Sequence, residues 1–414
     1  MHPERIIQLE NLKNLLKESG DRKRSPFYTL KATAKRVKLL AKLFRKAYRE
    51  DTIVAWRNLI MPTEIFYAYD ITPFCTESVA AMLAGNNLSS RFLDTASDNN
   101  YSVDCCSFLR CIMGAVIEDC LPTPDFLACT SYYCDGACRV FDGLRKNYKK
   151  ELFFIDIPYD YPARESIDYV ASQLEEMTIA IGDMIGKKID LDRLAEVINL
   201  SNQAREYWVR ICQLRRNSPA PVLGGEAIDY ATVFTHAWGT KELVEIYKLL
   251  YEELKEQVER DRTDAQPEKK HRILWRHLRP YYSDNLLTDI ETRHSAVVAF
   301  EEVNHVHWGE MDTREPYKSL AKKILGNLPV GKINHWIEDF FYMVECYKID
   351  AVISFAHRGC RQLNSSVQIL KDVLNKKDIP LLELDGDCVD SRDYSEEQSR
   401  IRINSFIELL QGNK

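Results

Sequence analysis

No stretch of this 414-residue chain carries the unbroken apolar run that a membrane-spanning helix requires. Its opening residues, MHPERIIQLE, are charged and lack the apolar core of a signal peptide. Both absences predict a soluble, cytoplasmic protein. Positive charge is not in excess either. Lys and Arg number 56 against 62 Asp and Glu, a net charge of −6 that argues against general nucleic-acid binding. The chain also has no C-x2-C pair, which removes the usual zinc knuckle and the thioredoxin-type redox motif together. Low-complexity tracts are missing as well, and so is any internal repeat at the level of residue identity.

What is present is cysteine, and it is bunched. Seven of the twelve (Cys105, Cys106, Cys111, Cys120, Cys129, Cys134 and Cys138) fall between residues 105 and 138. In a reducing compartment clustered thiols point to metal binding or catalysis before disulfides. Each taken singly also reads as a small buried hydrophobe.

Phe126–Arg139, FLACTSYYCDGACR, runs as a short apolar strand into Cys134 and on into a helix. Ile349–Arg361, IDAVISFAHRGCR, repeats that layout with a strand at Ala351–Phe355 and then Cys360. Unbroken apolar strands are those of a parallel sheet covered on both faces. In such sheets ligands sit outside the carboxyl ends of the strands. Two strand-end thiols far apart in sequence therefore suggest one site shared between two α/β units.

The remaining chain fits that plan. Ile6, Leu9, Leu12 and Leu15 follow a helical period, and Leu30–Tyr48 is a basic amphipathic segment, read as a packing helix or as a docking surface for an acidic partner. Expected strands of the first unit are Ile65–Ile71, Arg91–Asp94, Phe126–Thr130 and Leu152–Pro158, with a crossing helix at Glu77–Ala84. In Asp104–Gly114, Asp104 or Ser107 is the expected helix cap, which would set the nearby thiols at the positive end of a helix dipole. Residues 163–223 read as helical, with breaks at PAPVLGG. Second-unit strands are expected at Ile273–Trp275, Val297–Glu302, Ala351–Phe355 and Pro380–Leu384, and helices at Tyr317–Ile324, Ile333–Tyr347 and Glu396–Leu410. The predicted fold class is α/β: two parallel-sheet, Rossmann-like domains facing a cleft, with a helical N-terminus and a helical connector. The expected divisions are residues 1–62 (helical), 63–162 (first α/β domain), 163–225 (connector) and 226–414 (second α/β domain).

A nucleophilic cysteine would call for one thiolate and a base. Several thiolates converging from separate loops suit an iron–sulfur cluster better. Four blocks carry a resemblance: CSFLR (Cys106–Arg110), TSYYCDG (Thr130–Gly136), HRGCRQ (His357–Gln362) and LDGDCVDSRDYSEEQSRIR (Leu384–Arg402). From about Glu64 onward the chain resembles the cluster-bearing subunits of the 2-hydroxyacyl-CoA dehydratases, which are related to subunits of ATP-dependent benzoyl-CoA reductase.

That resemblance implies a 4Fe–4S cluster on Cys106, Cys134 and Cys360, with one iron left open as a Lewis acid. It implies an ATP-hydrolysing activator protein that delivers one low-potential electron, and a homologous partner subunit. It implies loss of water from a 2-hydroxyacyl-CoA through a ketyl radical. Arg110, His357, Arg358 and Arg361 stand beside the implied ligands as candidates for meeting the acyl-CoA, and each also reads as a structural residue. Gln362, Asn364 and the loop around Trp238 are further candidates for the pocket. Asp385, Asp387 and Asp390 read as a polar strand-end turn with a second, coupling role at the domain seam. Cys105 offers an alternative register for the first ligand, and Cys111, Cys138 and Cys388 are surplus thiols. The surplus motivates a second reading, a reductase of small molecules with a larger double-cubane cluster. A benzoyl-CoA-reductase-type subunit and a non-catalytic electron-relay subunit complete the alternatives.

Overall fold

A computed structural model describes residues 2–18, 30–132, 134–160, 163–264, 270–282, 286–327 and 330–412. Eight strands form two four-stranded parallel sheets. The first contains β1 (Val54–Arg57), β2 (Thr72–Cys75), β3 (Phe126–Thr130) and β4 (Leu152–Ile155) in the order β2-β1-β3-β4. The second contains β5 (His271–Arg276), β6 (Ala296–Glu301), β7 (Ala351–His357) and β8 (Leu381–Gly386) in the order β6-β5-β7-β8. The two orders are the same, so one topology is used twice. In each sheet the chain reverses its direction of growth between the two central strands, β1 and β3 or β5 and β7. That point is where open α/β sheets leave a crevice at the strand carboxyl ends.

The central strands are apolar because they are covered on both faces. Every residue of β1, β3, β5 and β7 is buried. One hydrophobic cluster runs through both sheets and includes Trp56, Leu127, Trp275, Ile353 and Phe355. The connector forms two long helices, Arg164–Ile185 and Leu191–Leu214. Leu174, Ile181 and Leu194 pack in one cluster with Phe66 from the first half and Leu320 and Ile324 from the second. Amphipathic Lys31–Lys46 is a helix as expected, with Phe44 stacked on Phe74 and Lys42 paired to Glu242 at 2.8 Å. No described helix is long and apolar enough to cross a membrane.

Two expected strands are helices. The chain at Glu64–Ala68 is helical, while the strands lie on either side of it, at β1 and β2. Ile65, Phe66 and Ala68 are buried on all sides, and a continuous apolar run has no period to separate a short buried helix from a strand. Asp70, at φ 61°, ends the helix in the left-handed region. The segment Arg91–Asp94 lies in helix Ser89–Asp98, where Phe92, Leu93 and Ala96 form one buried face. The helix expected near Asp104 begins at Ser107, and its first cap position is Cys106. Neither Asp104 nor Ser107 caps it, because the Ser107 hydroxyl donates instead to Asp387, 2.6 Å away across the domain seam.

Candidate functional site

Cys106, Cys134 and Cys360 are each the residue that opens a helix: Ser107–Ile117, Asp135–Tyr148 and Arg361–Asn364 respectively. The backbone N–H groups of a first helical turn have no partners within the helix, so each thiol meets donors. Phe108 N–H bonds to Cys106, those of Gly136 and Ala137 to Cys134, and those of Gln362 and Leu363 to Cys360. All three thiols are half-buried. Burial pushes each above the ordinary thiol range, and the N–H groups oppose it. Cys360 and Cys134 push Cys106 higher still, and Cys134 pushes Cys360 higher. The three therefore sense one another's charge.

The approach is close where the domains meet. Gly359 has φ +83°, and a Cβ there would lie 3.0 Å from the Cys106 Cα. Any other residue at 359 would be strained and would press the two ligand loops apart. Cys105 is exposed and its thiol has no part in these contacts, whereas Cys106 Sγ stands 3.4 Å from His357 Nε2. Among the described residues no three His, Cys, Asp or Glu side chains form a group that could hold a single metal ion.

His357 is buried, with Phe108 edge-on at 5.2 Å and His277 stacked at 6.0 Å. Burial holds its imidazole below the ordinary range, so the ring is neutral. Behind it, Asp387 accepts from Ser107 Oγ and from the N–H groups of Val389 and Asp390, at 2.6, 2.7 and 2.8 Å. This bond ties the helix that follows Cys106 to the turn after β8. Asp390 faces Arg110 at 3.9 Å, and Arg392 reaches Asp94 from the same turn.

A cavity of about 250 Å³ lies between residues following strands of both sheets and the helix Ala231–Ala237. One side is lined by Phe108 and Leu363, near neighbours in sequence of Cys106 and Cys360, and by His277, and its far wall carries Trp238, Trp308 and Lys323. Most of its lining is apolar, including Met61, Ala81, Leu278, Tyr281, Val303 and Val306. Polar handles are few, as in small-molecule sites generally. Arg57, at the end of β1, donates to the carbonyls of Asn58, Leu59 and Thr235, and its buried Nε has no partner. His277, directly after β5, is buried at φ 74° with its Nδ1 unpartnered. Such a backbone is costly for a residue with a Cβ and is found at working sites. Lys323 lies 4.9 and 4.8 Å above the rings of Trp238 and Trp308 and 2.5 Å from Glu64.

The sequence-predicted arginines do not line this cavity. Arg110 is buried behind the Cys106 helix, donating to the Cys105 carbonyl at 3.2 Å. Arg358 pairs with Asp393 at 2.7 Å on the surface, and Arg361 pairs with Asp135, joining the helices that start at Cys360 and Cys134. Gln362 donates to Tyr132 Oη at 2.7 Å, and Asn364 holds the His357 carbonyl at 2.9 Å. Trp238 does line the cavity. Sequence reasoning missed Arg57, Glu77, His277, Trp308 and Lys323. A usable signal existed for two of them, since Arg57 and His277 are charged or polar residues at the end of apolar strands.

Sequence comparison brings in known proteins. A chain from Clostridioides difficile described as (R)-2-hydroxyisocaproyl-CoA dehydratase alpha subunit is 24% identical over 394 residues, covering 91% of this chain and 95% of that one. The (R)-phenyllactyl-CoA dehydratase alpha subunit of Clostridium sporogenes is 24% identical over 375 residues, covering 87% and 90%. A benzoyl-CoA reductase chain of Thauera aromatica is 22% identical over 375 residues, covering 84% and 86%. Residues 58–410 match the profile described as 2-hydroxyglutaryl-CoA dehydratase, D-component, a span that holds every described strand but β1, all three convergent thiols and the cavity lining apart from Arg57. The chain belongs to the 2-hydroxyglutaryl-CoA dehydratase D-component family.

Proposed function

We propose that the chain is one subunit of a 2-hydroxyacyl-CoA dehydratase, a lyase, and that Cys106, Cys134 and Cys360 hold a 4Fe–4S cluster. The convergence of three helix-opening thiols from both domains is the observation that carries this reading. The donor set fits such a group. It is all sulfur, as iron–sulfur clusters require. Its thiols influence one another by charge without forming an ion-sized cage, and a cluster holds its cysteines apart, one to each iron corner. The backbone N–H groups already aimed at each thiol would stabilise the thiolate form and bond to cluster sulfur.

Bound there, such a cluster would supply a single low-potential electron to the thioester carbonyl, giving a ketyl radical that expels the 2-hydroxyl as hydroxide; loss of a β-proton and return of the electron would complete a redox-neutral loss of water. The chain's own residues do the rest. Phe108, Leu278, Tyr281 and the two tryptophans keep water from the acyl group. Arg57 Nε and His277 Nδ1 offer hydrogen bonds to the substrate oxygens. Burial, aided by His357 and Arg276 beside it, keeps His277 well below its ordinary range, so it meets substrate as a neutral ring.

Two of the surplus thiols favour this cluster over a larger one: Cys111 is fully buried in the core, and Cys138 is spent on the carbonyls of Thr130, Ser131 and Cys134. Cys388 is also buried, and burial together with Asp387, Cys106 and Cys360 beside it pushes its thiol well above the ordinary range. A homologous subunit and an ATP-hydrolysing activator complete the system, with Lys35, Lys38 and Arg45 on the exposed face of helix Lys31–Lys46 as a docking surface. The compartment proposed is the cytoplasm, where clustered thiols stay reduced.

The test is anaerobic reconstitution with the sister subunit, the activator, ATP and a reductant, followed by a panel of 2-hydroxyacyl-CoA esters. Formation of the 2-enoyl-CoA that requires all components is expected. Absence of both turnover and binding for every ester would refute the assignment.

A further inference from the structure

We propose that His357 sets the reduction potential of the site by donating its Nε2–H to the Cys106 sulfur, an inference that rests on the cluster assignment above. The ring's tautomer follows from its partners. Nδ1 lies 3.1 Å from the backbone N–H of Cys388, which can only donate, so Nδ1 is bare and accepts. A neutral imidazole with a bare Nδ1 carries its proton on Nε2. That nitrogen stands 3.4 Å from Cys106 Sγ, within the range of an N–H···S bond.

The surroundings hold the ring in this orientation. Phe108 meets it edge-on, His277 stacks on it, and Asn364 fixes the His357 carbonyl. Asp387 fixes the Cys388 turn through the N–H groups of Val389 and Asp390. Cys106 comes from the first domain and His357 from the second, so the bond also crosses the seam that Ser107 and Asp387 close.

The direction of the effect is general electrostatics. A donor on a ligating sulfur withdraws electron density and stabilises the more negative, reduced state. Among the described residues, Cys134 and Cys360 receive backbone N–H groups from the starts of their own helices, while Cys106 has an added side-chain donor. His357 acts through Cys106 and is a positioning residue here.

Two variants separate tuning from structure. In His357→Asn the amide oxygen can still accept from Cys388, but the shorter side chain does not reach Cys106. In His357→Gln the amide N–H extends to the sulfur. The measurement is the midpoint potential of anaerobically purified, cluster-loaded chain, followed by electron paramagnetic resonance, with iron content determined alongside. The expected result is a more negative potential in His357→Asn at unchanged iron, and a return toward the native potential in His357→Gln. Equal potentials in all three proteins would overturn the proposal. So would loss of the cluster from a folded His357→Asn chain, because the ring would then hold the cluster rather than tune it. Failure of the native chain to bind iron would instead refute the cluster assignment, leaving the two readings distinguishable.

Discussion

Replacing Glu64 by Gln tests the far wall of the cavity. Glu64 is fully buried, and its Oε1 lies 2.5 Å from Lys323 Nζ and 2.7 Å from Ser201 Oγ. Burial alone would raise the carboxyl, but the Lys323 charge together with the hydrogen bonds from Lys323 and Ser201 outweighs it and leaves Glu64 below its ordinary range. On the ammonium the balance is reversed, and burial holds Lys323 below its ordinary range despite the carboxylate. Glu64→Gln leaves that ammonium between Trp238 and Trp308 with no countercharge within 4 Å among the described residues. Breaking one side of a buried pair costs about 3–5 kcal/mol. The sign with pH follows. In the variant Lys323 sits further below its ordinary value, so the unfolded chain binds more protons than the folded one, and stability rises as the pH is raised toward about 10. Native Lys323, also below its ordinary range but less so, gives the same rise over a narrower window, and the variant's steeper rise is the expected difference. The assay is urea unfolding of the cluster-free chain across pH, comparing midpoints of Glu64→Gln, Lys323→Met and the double variant. The double variant should recover most of the loss, since no charge is left unpaired. A Glu64→Gln penalty under about 1 kcal/mol at neutral pH would refute the buried-pair reading, because an exposed pair is worth no more than that.

Ser107→Ala removes the bond to the Asp387 carboxylate and should lower stability by about 1.5–3 kcal/mol in the same assay. Arg361→Ala, which breaks only an exposed pair with Asp135, should cost less than about 1 kcal/mol. Cys111→Ala should keep its iron, because Cys111 faces the core rather than the convergent thiols, and should lose about 1–2 kcal/mol of stability by denaturant unfolding. Trp308→Ala enlarges the cavity wall and should shift preference in a panel of acyl-CoA esters toward bulkier acyl groups, read as relative kcat/KM.

The strand-end thiols of the candidate site were legible because their signal is local. An apolar strand followed by Cys134 or Cys360 and a helix is a pattern of some ten residues, and the structure contains both. Strand β1 was not legible. Four buried residues, VAWR, offer neither alternation nor length, and the longer apolar run EIFYA beside them imitates a strand. The cavity walls were beyond reach for a different reason. Glu64 and Lys323 are 259 positions apart, and Ser107 and Asp387 at the seam are 280 apart. Nothing in the local sequence around Ser107 distinguishes a helix cap from a partner for a distant carboxylate. The arginines near the ligands show the converse error, since proximity along the chain to Cys106 and Cys360 did not translate into proximity to the cavity.

The central claim is the three-thiol cluster site, and iron and sulfide determination on anaerobically purified single variants tests it most directly. The native chain should hold about four irons, with an equal amount of sulfide. Cys106→Ala, Cys134→Ala and Cys360→Ala should each lose most of that iron and the brown colour, while Cys105→Ala, Cys111→Ala and Cys212→Ala keep both. Full iron in Cys134→Ala or Cys360→Ala, or loss in Cys105→Ala with retention in Cys106→Ala, would contradict the site described.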